Sequence, residues 1–305
     1  MGTTPEQDAV ALAEAGAGVK WLRCDPRDVD AVRRLAEAHG VDACIHAAAV
    51  SNEAHARPDP LKAIATNISA TANLLDTARA RAWRRFVLVS TGSVFQKAGN
   101  ATRPILEDQA PAAANVYGTT KLGAEMLTRM YRTEYGLSAA TVRISWVYGP
   151  PIVTQSPTRG PIPSYLMRAL KGETIREGGA DFAASFTFVG DVAEGMLAAV
   201  RAPELRFDTY HLGPGVNFTA AQVAAAVGLA VPGASIELGP GTDPWTRYTS
   251  LRGPLAGERL RADTGYKPAH SLDAGIGAYA AWMRAHPDLL AGPHGSTLAA
   301  FGVST

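Results

Sequence analysis

Residues 86–121 read FVLVSTGSVFQKAGNATRPILEDQAPAAANVYGTTK, and this stretch decides the fold. Phe86 to Ser90 is a nearly continuous apolar run, the pattern of a strand buried on both faces. It ends in Thr91-Gly92-Ser93, crosses a loop rich in Pro, Ala and Asn, and enters a helix predicted from about Tyr117 to Tyr135. A strand, a long crossover and a helix predict a parallel sheet with covered faces. Working outward, Val19 to Arg23 reads as a short strand, Val29 to Ala38 as a helix with Val32, Leu35 and Ala36 at helical spacing, and Val41 to Ala48 as a buried strand. Pro60 to Ala80 reads as one long helix carrying Ile64, Ile68, Ala72 and Leu75 on a stripe, and Ala139 to Ile144 as a further strand. After Gly149-Pro150-Pro151 the chain becomes punctuated by Pro and Gly, which predicts a less regular second region. Strand and helix return at Asp191 to Val200 and Thr209 to Leu212.

Composition narrows the function. The 305 residues carry 29 Lys+Arg against 28 Asp+Glu, a net of +1, with 47% hydrophobic and 19% charged residues. A large core is affordable, and a broad nucleic-acid surface, which needs clustered basic charge, is not expected. The chain contains no stretch of roughly 18–20 apolar residues. Its first twenty residues lack the basic start and apolar run of a secretion signal, so no membrane partner and a cytoplasmic address are expected. Cys24 and Cys44 are expected as buried, reduced thiols, and the histidines show no ligand spacing, so no metal is expected.

Tyr117 and Lys121 lie four apart on one helical face, so the ammonium can sit beside the phenol. A phenol loses its proton only near pH ~10, and a neighbouring positive charge favours the phenolate, so Tyr117 is a candidate for proton transfer at working pH. The pair follows a strand end bearing Thr91, at the carboxyl edge where open α/β sheets place their sites.

With these residues the sequence resembles the extended short-chain dehydrogenase/reductase family, the NAD-dependent epimerases and dehydratases. Further matches are His46-Ala47-Ala48-Ala49, Asn67 with Asn73-Leu74-Leu75, Val89 to Phe95, Arg143-Ile-Ser-Trp-Val-Tyr-Gly-Pro150, Phe188-Val-Gly-Asp191-Val-Ala193, Tyr210 to Gly215 and Arg259 to Pro268. The similarity runs in order from about Val19 to Arg284. It implies a Rossmann-like α/β fold with a parallel sheet, amino-terminally truncated, and a smaller α+β substrate lobe. The expected division is 1–149 with about 184–214 for the dinucleotide-binding domain, and about 150–183 with 215–305 for the lobe.

The resemblance also implies roles. Tyr117 would be the general base or acid, Lys121 would lower its pKa and bind the nicotinamide ribose, and Thr91 would hydrogen-bond the reacting oxygen. NAD or NADP is the implied cofactor, with Asp25 near the adenine, Ala47 and Ala48 allowing close approach and Asn67 anchoring the neighbourhood. Ser93, Trp146 and Arg247 are the expected substrate contacts. His46 is expected to pack at a strand end. A homodimer paired through the helices near 60–80 and 117–135 is expected by analogy.

Two departures bear on these expectations. The family's opening strand, Gly-x-x-Gly-x-x-Gly turn and second strand are not found, and Pro5 to Ala15 reads as the helix that would follow them. An amino-terminally shortened ordinary enzyme is the expectation, the missing glycine-rich turn bearing on its NAD or NADP binding, with a natural remnant lacking full dinucleotide binding as the alternative. In relatives acting on nucleotide-diphosphate sugars, an Asn stands where this chain has Trp146 and an Arg where it has Ala184. Their loss points to a small sugar or sugar-acid substrate, unless Arg247 or Arg252 holds a diphosphate. The leading expectation is an NAD(P)-dependent oxidoreductase or epimerase. A cofactor-free protein that binds a ligand or partner, and a redox-neutral dehydratase or isomerase, are the alternatives.

Overall fold

A computed structural model describes residues 5–16, 18–97 and 102–291. Four parallel strands form the main sheet in the order β1 (Ala43–His46), β2 (Arg85–Thr91), β3 (Ala139–Ile144) and β4 (Thr209–Leu212). Side chains alternate across β2. Phe86 and Leu88 pack with Ala36, Leu75, Ala78 and Ala124 on one face, while Val87 packs with Val142, Val192, Met196 and Tyr210 on the other. All three β2 residues are 0% exposed, so helices cover both faces and the apolar run is explained.

After a first helix, α1 (Pro5–Glu14), the helices that cover the sheet are α2 (Val29–Ala38), α3 (Ala70–Ala80), α4 (Val116–Tyr135) and α5 (Val189–Arg201). Asp28 caps α2 by accepting from the N–H groups of Asp30 and Ala31, and Asn115 caps α4 by accepting from Gly118. Gly136, at φ 65°, closes α4 in the left-handed conformation. Instead of one continuous helix over 60–80, the chain forms Pro60–Ile64, a π turn over Ala65–Ser69, and then α3. The interruption coincides with Asn67, whose amide is turned inward. It accepts from Val50 N at 2.8 Å and donates to Val50 O at 3.2 Å and to Thr120 Oγ1 at 2.9 Å.

Two expected elements differ. Val19 to Arg23 is not a strand, and Val19, Trp21 and Leu22 are 50%, 60% and 44% exposed. A strand persists only with a hydrogen-bonded neighbour, and among the described residues none lies beside it; β1 is itself a sheet edge. Helix α1 forms but does not cover the sheet. Gln7 donates to Val153 O at 2.9 Å, Glu14 accepts from Trp282 Nε1 at 2.8 Å and lies 3.3 Å from His286, and Val10 packs on the second region's core. Cys24 and Cys44 are free and only half-buried.

That second core gathers Ile162, Leu166, Phe182, Val223, Ile276 and Tyr279. Ala184 and Phe186, expected with the sheet, pack here; Trp146–Tyr148 pairs with Phe186–Phe188, and Ala183–Ala184 with Phe218–Thr219. Leu260, expected with the lobe, packs on the β4 side of the sheet. Among the described residues no helix is long and apolar enough to cross a membrane.

The docking of α4 depends on Gly118. A Cβ there would lie 2.5 Å from the Ser93 carbonyl oxygen and 3.0 Å from the capping side-chain oxygen Asn115 Oδ1, and the nearer of the two is backbone, which cannot swing aside. Gly118→Ala is expected to lower unfolding free energy by about 1–3 kcal/mol in urea titration. An unchanged midpoint would show that the first turn of α4 is not held this tightly.

Candidate active site

A cavity of about 240 Å³ opens at the carboxyl ends of the sheet strands. Ala47 and Ala49 follow β1, Thr91 and Ser93 end β2, and Ile144 and Ser145 end β3. Tyr117 and Lys121 come from the first turns of α4. Trp146, Arg159 and Arg252 close it from the second region's side.

Thr91 Oγ1 accepts from the Ser93 N–H at 3.1 Å, which fixes the turn after β2, and its side chain hydrogen-bonds the Tyr117 hydroxyl. The backbone N–H of Tyr117 donates to Glu53 Oε2 at 2.9 Å. One turn along, Lys121 is 2% exposed, and burial pushes its ammonium down to about 8, with the charge of Glu125 opposing. No hydrogen-bond acceptor or ion-pair partner holds that ammonium among the described residues. One further turn brings Glu125, which accepts from Ser90 Oγ at 2.5 Å and from Arg143 at 2.7 Å and 3.0 Å. Arg143 and Glu125 are 3% and 6% exposed, and the guanidinium lies 4.9 Å from the Phe95 ring centre. This buried ion pair fastens α4 to β3.

The two nearby histidines are neutral. Burial, with Lys121, pushes His46 down to about 3; its Nε2 lies 3.1 Å from Thr71 Oγ1, in keeping with a packing role outside the cavity. Burial, with Arg143, pushes His211 down to about 3, so its Nε2 accepts from Arg143 Nη1 at 3.4 Å and its Nδ1 donates to Ile105 O at 3.2 Å.

Two arginines from the second region also act on the phenol. Burial holds the Tyr117 hydroxyl above its ordinary value; the Thr91 hydrogen bond, Arg252 and Arg159 pull it down. Lys121, pushed down to about 8, loses its charge before this raised phenol titrates. Arg252 is itself pushed down to about 10 by burial, opposed by Tyr117, and Arg159 is pushed down by burial as well.

Thr91, Ser93, Tyr117, Lys121, Ala47 and Trp146 therefore meet in one cavity. Other sequence candidates lie elsewhere. Asp25 sits in an exposed turn, 2.6 Å from Arg27, whose hydrogen bonds hold the carboxyl down to about 2. Ala48 is exposed and outside the cavity lining. Asn67 is 1% exposed with its amide engaged by Val50 and Thr120. Arg247 is exposed, lies outside the lining and has its guanidinium 5.7 Å from the Tyr248 ring centre. Sequence reading missed Arg159, Glu53 and Asn52, which line the cavity from irregular or very short elements without a periodic signal.

Residues 2–213 match the NAD dependent epimerase/dehydratase family. A UDP-glucuronate 4-epimerase of Thermodesulfobacterium geofontis is 30% identical over 200 residues, 65% of this chain and 59% of that protein. A trifunctional UDP-glucose 4,6-dehydratase/UDP-4-keto-6-deoxy-D-glucose 3,5-epimerase/UDP-4-keto-L-rhamnose-reductase of Arabidopsis thaliana is 30% identical over 64% of this chain and 29% of its own length. The chain thus covers less than two thirds of either relative. The solved structure of a Thermus thermophilus UDP-glucose 4-epimerase in complex with NAD superposes with a TM-score of 0.75 at 25% identity, covering 88% of this chain and 86% of that one.

A buried ammonium without a counter-ion is costly to keep. Lys121→Met is expected to raise stability at pH 7 by about 1–3 kcal/mol in thermal or urea unfolding. The folded-state value of about 8 lies below the ordinary 10.5, so charging Lys121 opposes folding. The penalty is full below about 8 and disappears as pH rises toward 10.5, so the gap between variant and parent should close over that window. A variant less stable than the parent at pH 7 would contradict this.

Proposed function

The chain belongs to the NAD-dependent epimerase/dehydratase family, and from that premise we propose that it is an NAD(P)-dependent oxidoreductase or epimerase acting on a small sugar or sugar acid. Thr91, Tyr117 and Lys121 are its working residues. The observation that carries this reading is the Tyr117 phenol, hydrogen-bonded to Thr91 and facing a cavity that also holds Lys121.

An alcohol yields hydride only if its hydroxyl proton leaves to a positioned acceptor, and a carbonyl accepts hydride most readily when a proton is delivered to its oxygen. Tyr117 moves that proton, and Thr91 orients the reacting oxygen. Because burial keeps the phenol above its ordinary value, Tyr117 is protonated at neutral pH in the free protein and stands ready as a donor. In the reverse direction the phenolate that forms is supported by Arg252, Arg159 and the Thr91 hydrogen bond.

The cofactor's ribose end fits the residues present. Lys121 presents a buried ammonium to the cavity with no acceptor among the described residues, and ribose hydroxyls would supply one. When bound, a nicotinamide dinucleotide supplies the hydride acceptor. Ala47 lines the same cavity.

The relatives' names carry UDP-sugars, but this cavity presents Trp146 at the position that suggested a smaller substrate. Trp146 packs edge-on against Phe182, with ring centres 5.6 Å apart, and so narrows the cavity with an apolar wall. Ala184 is 6% exposed and packs in the second core, so it offers no grip to a phosphate. The second region serves as the substrate lobe. Pairing of two copies through the helices near 60–80 and 117–135 belongs to the same reading, supported by the exposure of Leu61, Ile64 and Met126 on them.

The test is turnover. Mixing the protein with NAD or NADP and candidate sugar acids should raise reduced-nicotinamide absorbance, or change the sugar's stereochemistry in the NMR spectrum. Tyr117→Phe should then lower kcat by about 10²–10⁴-fold without lowering Tm. Full turnover by that variant would remove Tyr117 from the chemistry, and absence of cofactor binding in native mass spectrometry would favour a ligand-binding role.

A further inference from the structure

We propose that Arg159 and Arg252 form a paired-guanidinium subsite for the carboxylate of a small hydroxy acid. This deepens the reading above and rests on it only for which molecule is turned over; the subsite itself is defined by binding.

Both arginines line the cavity, and the charge of each reaches Tyr117. Among the described residues neither has a carboxylate partner; the groups that favour their charged forms are the Tyr117 phenol for both and the Tyr279 phenol for Arg159. Arg143, by contrast, is locked to Glu125 at 2.7 Å, and Arg168 is paired with Glu177. A desolvated guanidinium without an anion is an incomplete arrangement, and a ligand carboxylate completes it. Arg252 is also held in place. Its Nη1 donates to Thr249 Oγ1 at 3.0 Å, and a Cβ on Gly92 would lie 3.0 Å from its Nε, so the glycine leaves room for the fork.

The surroundings select the anion. Phosphates favour helix N-termini, where free N–H groups converge. At α4 two of the first-turn donors are taken, Tyr117 N by Glu53 and Gly118 N by Asn115. The helix Pro161–Leu170, which follows Arg159, has proline at its first and third positions, where no N–H exists. The Glu53 carboxylate lines the cavity and repels a multiply charged ligand. What is left is two planar forks, suited to one planar carboxylate, and Asn52, whose Nδ2 is buried without a partner among the described residues and can meet a hydroxyl. A cavity of about 240 Å³ suits a molecule of sugar-acid size.

The test is calorimetric titration of the whole chain, without added dinucleotide, against matched probes. These are D-glucuronate with D-glucose, D-gluconate with D-glucitol, and glucose 6-phosphate and UDP-glucose as phosphate-bearing arms. At least one acid should bind about tenfold or more tightly than its neutral partner and than both phosphate compounds. Arg159→Met and Arg252→Met, each verified as folded by circular dichroism, should bring the acid to the level of the neutral sugar while leaving the neutral sugar unchanged. Equal binding of acid and neutral partner, preference for a phosphate compound, selectivity that survives both substitutions, or no binding of any probe would overturn the proposal. Selective acid binding without dinucleotide reduction would overturn the oxidoreductase reading and leave the subsite standing. Turnover of a small neutral sugar by a protein that binds acid and neutral partner equally would do the reverse.

Discussion

The first turn of α4 can lie against the Ser93 carbonyl only because residue 118 carries no side chain. From that close approach the rest of the site follows. It sets Tyr117 against Thr91 at the end of β2, and the helical repeat then places Lys121 and Glu125 on the same stripe, one and two turns on. Glu125 is fastened by Ser90 and Arg143, which belong to β2 and β3. The helix is thus clamped at its start by backbone packing and farther along by a buried ion pair. Removing one partner of such a pair typically costs about 3–5 kcal/mol, because the other is left buried and uncompensated.

The same geometry divides electrostatic labour in a way that spacing alone does not reveal. A lysine four residues from a tyrosine invites the idea that the ammonium acidifies the phenol. In the folded protein Lys121 is itself desolvated and sheds its charge near 8, while cations that pull the raised Tyr117 phenol down arrive from the second region as Arg159 and Arg252. The phenol and the arginines that act on it therefore come from different parts of the chain. The close packing that orders the site is also what raises the phenol and lowers the amine, since burial opposes charge on both.

Much of the fold was legible because its central strands announce themselves. A run such as Phe86 to Ser90, apolar at successive positions, has few places to go except between two helical layers. Thr91, Tyr117 and Lys121 were legible together because a strand end and a helical repeat are local features that survive without coordinates. Arg159 and Arg252 were harder. They sit in irregular segments far from Tyr117 in sequence, and nothing local distinguishes a cavity arginine from a solvated one; for that reason Arg247 was expected as the substrate contact, Arg252 entered only beside it as a possible diphosphate holder, and Arg159 was not singled out. Val19 to Arg23 has strand composition but no neighbour to bond, and α1 has helix composition but docks on the second core through Gln7 and Glu14. Composition sets the element, while partners set whether and where it packs.

The central claim is that burial, countered by two arginines, sets the acidity of Tyr117, Lys121 having shed its charge near 8 before the phenol titrates. Carbon-13 NMR of Cζ-labelled tyrosine, with the Tyr117 signal assigned by its absence in Tyr117→Phe, follows that phenol directly as pH is raised. The account predicts titration above the ordinary phenol value near ~10, moving higher still in Arg159→Met and Arg252→Met and little in Lys121→Met. A phenol that titrates at or below its ordinary value, or that responds to the lysine substitution and ignores the arginines, would contradict it.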